Sequence, residues 1–205
     1  SIGSGNTWAR RRSTSMLKGK SIAVVVPAYN EERLIRKTLT TMPAFVDAVI
    51  VVNDGSIDRT ADVVEECRRS DPRIAVIHHH ANQGLGQSLI DGYVMCRDLG
   101  YDVTAVMAGD AQMNPDDLEA VCHPIVTGAA DYVKGNRLLS SDVFSRMPLY
   151  RLVGNAGLTF LTKFATGYWH VIDPQCGYTA IARRALAAIP IERMIKKYGY
   201  NSDIL

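Results

Sequence analysis

From Ser21 onward, short apolar runs rich in β-branched residues alternate with segments of helical periodicity, and this alternation leaves the chain few folds to adopt. Ile22–Val26 is a continuous apolar run, as expected of a strand covered on both faces, and it is predicted to stop at Pro27. Glu31 to Met42 then places Leu34, Ile35, Thr38, Leu39 and Met42 on one helical face, with acidic residues in the first turn. Ala48–Val52 reads as a second strand, followed by a helix capped by Asp58 and running to about Arg69. Ile74–Ile77 is a third strand, Gly86 to Leu99 a third helix stopped by Gly100, and Val103–Met107 a fourth strand. Asn114-Pro115 opens another helix, with proline where its missing N–H does no harm. The pattern predicts an α/β fold, a Rossmann-like, doubly wound, mostly parallel sheet with helices on both faces and right-handed crossovers. In such sheets ligands sit at the carboxyl ends of the strands. The chemistry is therefore to be sought just after Val26, Val52, Ile77 and Met107.

The net charge of +2 is too small to imply a nucleic-acid partner. Basic residues do gather near both ends, from Arg10 to Lys20 and from Arg183 to Lys197, where they are either ordinary solvated charges or a rim suited to an anionic membrane surface. The four cysteines are scattered without CxxC spacing, which argues against a zinc site or a disulfide framework and fits a reducing compartment. The stretch Leu149 to Ile172 is broken by Arg151, Lys163 and glycines and makes a poor membrane span. No secretion signal is read. The expected location is cytoplasmic, with a peripheral place on the cytoplasmic membrane face as the alternative. Residues 1–20 are expected to form a flexible basic arm, and residues 21–205 one catalytic domain.

The strand ends carry unusual residues. Asp54 before Gly55-Ser56 suits a tight turn that presents a carboxylate to a base imide or ribose hydroxyls; the other reading is that it merely organises the turn. Asn82, Gly84 and Gly86 allow close backbone approach at a helix N-terminus, which suits an anion. The run His78–His80 suggests metal, but adjacent residues on a strand alternate faces, so a solvent-exposed strand exit is expected. Asp110 and Gln112, taken as alternating along an extended segment, should face one side. There they would hold Mg²⁺ or Mn²⁺ together with phosphates and water; a helix cap or turn is the other reading for Asp110.

Taken together, VVVPAYNEE (Val24–Glu32), VVNDGSIDRT (Val51–Thr60), NQGLGQSLIDGY (Asn82–Tyr93), VMAGDAQMNPDDL (Val106–Leu118), KGNR (Lys134–Arg137) and DPQCGYTAIARRAL (Asp173–Leu186) resemble glycosyltransferase family 2, a GT-A-folded family, in family order. Within it they resemble the branch of dolichyl-phosphate mannosyltransferases and other polyprenyl-phosphate glycosyltransferases. The resemblance implies an inverting, metal-dependent transferase that takes a sugar from a UDP- or GDP-sugar, most naturally to a polyprenyl phosphate. It implies that Pro27, Tyr29, Glu31, Asp54 and Gly84 line the donor nucleotide pocket. Asp110 would be the second aspartate of the metal motif, with Gln112 its companion. Arg137 and Arg151 would hold the acceptor phosphate, and Asp173 would lie near the acceptor, where it could take a proton from a hydroxyl acceptor. Asp110, Asp173 and Arg137 are thus the expected catalytic residues.

The chain departs from the family pattern at three points. Ala108 stands in place of the motif's first aspartate, so metal ligation would rest on Asp110, Gln112 and the donor phosphates. Thr179 stands where the family often has an arginine. The chain is also expected to be a truncated form of a longer protein. Arg146–Thr166 reads as an amphipathic helix, packed on the sheet or resting on a bilayer. Two other classes compete with the transferase reading. A non-catalytic nucleotide-sugar-binding module fits the Ala108 replacement, whereas a dinucleotide oxidoreductase is disfavoured because strand one lacks a following GxGxxG turn.

Overall fold

The computed structural model describes residues 17–135 and 177–193. Among these, six strands form one sheet in the order β3-β2-β1-β4-β6-β5. The strands are β1 (Ile22–Ala28), β2 (Ala48–Asn53), β3 (Ile74–His78), β4 (Val103–Val106), β5 (Tyr132–Lys134) and β6 (Thr179–Ala182). Strands β1 to β4 are parallel to one another, and β6 runs antiparallel between β4 and β5. The helices are α1 (Ile35–Thr40), α2 (Thr60–Ser70), α3 (Leu85–Leu99), α4 (Leu118–Val126) and α5 (Arg183–Ala188). None of the described helices is long and apolar enough to cross a membrane.

The two faces of the central strands are buried against different partners. In β1, Ile22, Val24, Val26 and Ala28 join the core beneath α1, α2 and α4, whereas Ala23 and Val25 join the core beneath α3. In β2 the same alternation sends Val49 and Val51 one way and Ala48, Ile50 and Val52 the other. A side chain fully removed from water contributes roughly 1.5–3 kcal/mol, which is why these continuous apolar runs settle in the middle of the sheet. Helix α3 comes close enough to β1 that a Cβ on Gly92 would lie 2.3 Å from Val25 Cγ1. Glycine at that point lets Leu89, Ile90 and Tyr93 bury themselves fully on the sheet.

Several boundaries differ from those expected. Strand β1 passes through Pro27, which is in register with Val52. Its carbonyl accepts from the Gly109 N–H and the Val25 carbonyl from the Met107 N–H, so backbone pairing on the β4 side runs past Val106 and proline removes only the one donor it lacks. Helix α1 starts at Ile35, leaving Glu31 and Glu32 in the preceding turn and Leu34 exposed. Helix α2 starts at Thr60, two residues after Asp58, whose carboxylate still accepts from the Thr60 N–H at 2.9 Å. Asn114 caps the following 3₁₀ turn by accepting from the Asp116 N–H, with Pro115 in the first position. Residues 17–20 form a tight turn closed by the Lys20 N–H on the Leu17 carbonyl. The expected helix at Arg146–Thr166 and the stretch Leu149–Ile172 lie outside the described residues.

Candidate functional site

The carboxyl ends of β1, β2 and β4 and the loop after β3 surround a cleft of about 630 Å³. Its lining includes Pro27, Tyr29 and Glu31 after β1, Asp54 after β2, Asn82, Gln83 and Gly84 before α3, and Ala108 and Asp110 after β4. Six of the residues singled out from the sequence (Pro27, Tyr29, Glu31, Asp54, Gly84 and Asp110) thus meet in one place. Topology explains the convergence, since neighbouring parallel strands deliver their following loops to the same edge. A second hollow of about 560 Å³, at the opposite edge among Lys20, Asp102, Asp131, Arg183 and Arg184, contains none of them.

Two loops form a stapled rim. Asn30, in a left-handed conformation with φ 55°, receives the Ile57 N–H on its side chain, while its own N–H donates to Ser56 Oγ. The Glu31 N–H donates to Thr60 Oγ1 at 2.7 Å, and the Thr60 hydroxyl donates to Asp58 at 2.6 Å. Burial by itself would raise Asp58, but the bonds from Thr60 and from the Glu32 N–H hold its carboxyl below the usual range. These side chains were not recognised as a set in the sequence. Their signal is the pairing of Asn-Glu-Glu with Ser-x-Asp-x-Thr across adjacent strand ends.

Asp54 is 4% exposed. Its Oδ1 accepts from the Gln83 N–H at 2.8 Å and from His79 Nδ1 at 2.7 Å, and its Oδ2 accepts from the Gly84 N–H at 2.9 Å. The carboxylate therefore organises the loop before α3 as well as bordering the cleft. Gly55, with φ +66°, is needed beside it, because a Cβ there would lie 2.5 Å from the Ala81 carbonyl carbon. The histidine run is not uniformly a solvent-exposed exit, as alternation along it shows. His78 and His80 are exposed, while the His79 side chain is only 5% exposed.

The segment at Asp110 is not extended. Ala111 takes φ +54°, and the Gln112 N–H folds back onto Asp110 Oδ1 at 3.1 Å. The expected same-side placement of Asp110 and Gln112 fails for this reason. Gln112 lines a separate hollow with Lys37, Asn114 and Asp116. Asp110 instead faces the cleft with Glu31, whose carboxyl is raised above its ordinary range by burial first, then by the charges of Asp110 and Asp58. Two carboxylates at one strand edge fit a hard divalent cation that completes its shell with phosphate and water oxygens. Among the described residues no cluster of three or more His, Cys, Asp or Glu side chains could hold a metal without such help. Arg137, Arg151 and Asp173 lie outside the described residues.

Comparison with known proteins identifies the family. Residues 23–189 match the model of the family described as glycosyl transferase family 2. The chain is 32% identical over 199 residues to the UDP-N-acetylglucosamine–dolichyl-phosphate N-acetylglucosaminyltransferase of Methanococcus voltae, a match covering 91% of this chain and 79% of that protein. It is 28% identical over 187 residues to the polyprenol monophosphomannose synthase of Mycolicibacterium smegmatis, covering 88% of this chain and 69% of the relative. The fold is also that of glucosyl-3-phosphoglycerate synthase from Mycobacterium tuberculosis, solved with Mn²⁺, UDP and glucosyl-3-phosphoglycerate. That likeness has a TM-score of 0.70 at 20% identity, over 91% of this chain. The chain spans 64% of the length of that structure.

Proposed function

Because this chain belongs to glycosyl transferase family 2, we propose that it moves a sugar from a nucleoside-diphosphate sugar to a polyprenyl-type lipid phosphate, inverting the anomeric carbon. The observation that carries the proposal is the meeting of Glu31, Asp110 and the Asp54-held loop around one cleft. Relatives named for dolichyl-phosphate and polyprenol substrates support the acceptor class.

The chain's own groups divide the donor between them. Tyr29, 44% exposed at the cleft, offers a ring face to the base, and Asp54 fixes the loop that borders the nucleoside. The N-terminus of α3, opened by Gly84, presents backbone N–H groups toward the diphosphate. Asp110 is proposed to hold Mg²⁺ or Mn²⁺, with Glu31 lining the same cleft; Gln112 lines a separate hollow. When bound, the cation offsets charge gathering on the leaving diphosphate. In the transfer, a phosphate oxygen of the acceptor forms a bond to the anomeric carbon as the bond to the diphosphate oxygen breaks. An ionised acceptor needs no base. Arg137 and Arg151 are proposed to grip the acceptor phosphate, and Asp173 to serve as base toward a hydroxyl acceptor instead. A lipid acceptor places the protein at the membrane surface during turnover.

The test is transfer of labelled sugar from a panel of UDP- and GDP-sugars into organic-extractable polyprenyl phosphate, with Mn²⁺ or Mg²⁺ present. Asp110→Asn is expected to lower turnover by about 10²-fold or more. Nucleotide binding by the full chain without transfer to lipid phosphate or hydroxyl acceptors would defeat the proposal in favour of a binding module.

A further inference from the structure

His79 stands where the nucleotide loop, the end of β2 and helix α3 meet, and its side chain is almost entirely buried. Its Nδ1 lies 2.7 Å from Asp54 Oδ1 and its Nε2 lies 2.9 Å from Asp91 Oδ2. An ionised carboxylate can only accept, and a neutral imidazole has one N–H to give. Two carboxylates on opposite ring nitrogens are therefore both satisfied only when each nitrogen carries a hydrogen. Each neighbour has further anchors. Asp54 takes the Gln83 and Gly84 N–H groups, Asp91 takes Gln87 Nε2 at 3.0 Å, and the His79 N–H donates to the Asn53 carbonyl.

We infer that His79 is a positioning residue for donor binding: as a doubly protonated imidazole it links Asp54 to Asp91 and so locks the loop at Gln83 and Gly84 to helix α3. The inference rests on the donor reading proposed above and adds a residue to it. The physical reason is charge. Asp54 is a buried anion whose other partners are neutral backbone groups, and an imidazolium supplies the counter-charge that an apolar surrounding cannot. Asp91 sits in the second turn of α3, so the link also fixes where the N-terminus of that helix points. Loosening it lets the Gln83 and Gly84 N–H groups leave their places beside the cleft. No reacting atom is touched, so the effect falls on donor affinity and not on the bond-making step.

The ring is read directly in full-length protein labelled with ¹⁵N-histidine, where His79→Phe identifies its signals among the five histidines. Two protonated ring nitrogens are expected for His79 in the wild type at neutral pH. In Asp91→Asn the carboxamide can donate to Nε2, so a neutral ring with its proton on Nδ1 keeps the chain of bonds. That variant should change the ring spectrum and, because it keeps the bonds but loses the counter-charge to Asp54, weaken UDP by less than His79→Phe, which should weaken it by about tenfold with kcat at saturating donor little changed. A singly protonated His79 in the wild type overturns the inference, as does tight UDP binding by a folded His79→Phe. Should His79→Phe fail to fold, the wild-type and Asp91→Asn spectra still decide, with assignment by the Asp91→Asn shift. Failure of the wild type to bind either UDP or GDP sinks the donor reading and leaves the ring spectrum to judge the link by itself.

Discussion

Replacing Gly55 by alanine is a direct test of how the cleft is built. Two costs arise. The first is conformational, since φ +66° is a left-handed geometry that costs an L-residue roughly 1–2 kcal/mol. The second is steric. The new Cβ would lie 2.5 Å from the Ala81 carbonyl carbon and 2.6 Å from the Asn82 nitrogen. These are backbone atoms and cannot rotate away, so the loop must retreat by about 1 Å to restore ordinary contact. A shift of that size stretches the Gln83 and Gly84 N–H bonds to Asp54, now 2.8 and 2.9 Å, beyond useful length. Bonds to a charged acceptor are worth about 1.5–3 kcal/mol each, so losing even one brings the total to about 2.5–5 kcal/mol. Gly128 is the control. Its φ is +76°, but nothing lies within 4 Å of a Cβ there, so Gly128→Ala isolates the conformational part. The assay is urea unfolding together with calorimetric titration of UDP. Gly55→Ala is expected to be the less stable of the two by about 2 kcal/mol or more and to lose UDP affinity, with Gly128→Ala binding normally. Equal stability losses and unchanged UDP binding in both variants would refute the close-approach argument.

Glu31 supplies a pH-dependent prediction. Its folded carboxyl is raised by burial and by the charges of Asp110 and Asp58, so what it contributes to stability is present below its unfolded value and is lost as pH rises through the folded one. Glu31→Gln should therefore raise the apo melting temperature at neutral pH, shrink that gain toward pH 4, and weaken Mn²⁺ binding; an unchanged melting temperature at both pH values would contradict this. Burial pushes the thiols of Cys96 and Cys122 up to about 12, so neither should react with a thiol reagent at pH 8 until the protein is unfolded by urea.

The central sheet could be read from the chain because its strands bury both faces, so Ile22–Val26 and Ala48–Val52 appear as unbroken apolar runs. Helix α3 was equally plain, with Leu89, Ile90 and Tyr93 at helical spacing and Gly100 in the left-handed closing position at φ 77°. The short strands β5 and β6 were not anticipated, because three or four residues give no periodicity and the antiparallel insertion of β6 depends on pairing with β4 far away in sequence. Pro27 misleads for a local reason: proline removes one donor but keeps its carbonyl, and the bonds from the Met107 and Gly109 N–H groups on either side carry the pairing past it. At the site, Asp54 and Asp110 were legible through strand-end logic. The orientation of Gln112 was not, because one left-handed residue, Ala111, reverses the alternation on which the expectation relied. His79 was passed over as part of a histidine run, although the alternation used to dismiss the run also implies that its middle member faces the opposite way from the other two.

The donor cleft is electrostatically unfinished in a way that links its two expected ligands. Asp54 is held within the protein by His79 and two backbone N–H groups. Glu31 is not balanced: burial raises its carboxyl first, and the charges of Asp110 and Asp58 raise it further. A nucleoside diphosphate approaching this edge meets carboxylates of its own sign, and the partial positive charge at the α3 terminus, about half a unit, cannot offset them. In the proposed function, a divalent cation would reverse the local field and favour diphosphate binding, while the diphosphate would supply the oxygens that two protein groups leave missing. Each ligand therefore improves the site for the other, and thermodynamic linkage requires the coupling to be mutual. The replacement of the family's first metal-motif aspartate by Ala108 strengthens this dependence, because a site with fewer protein oxygens leaves more of the cation's shell to the donor.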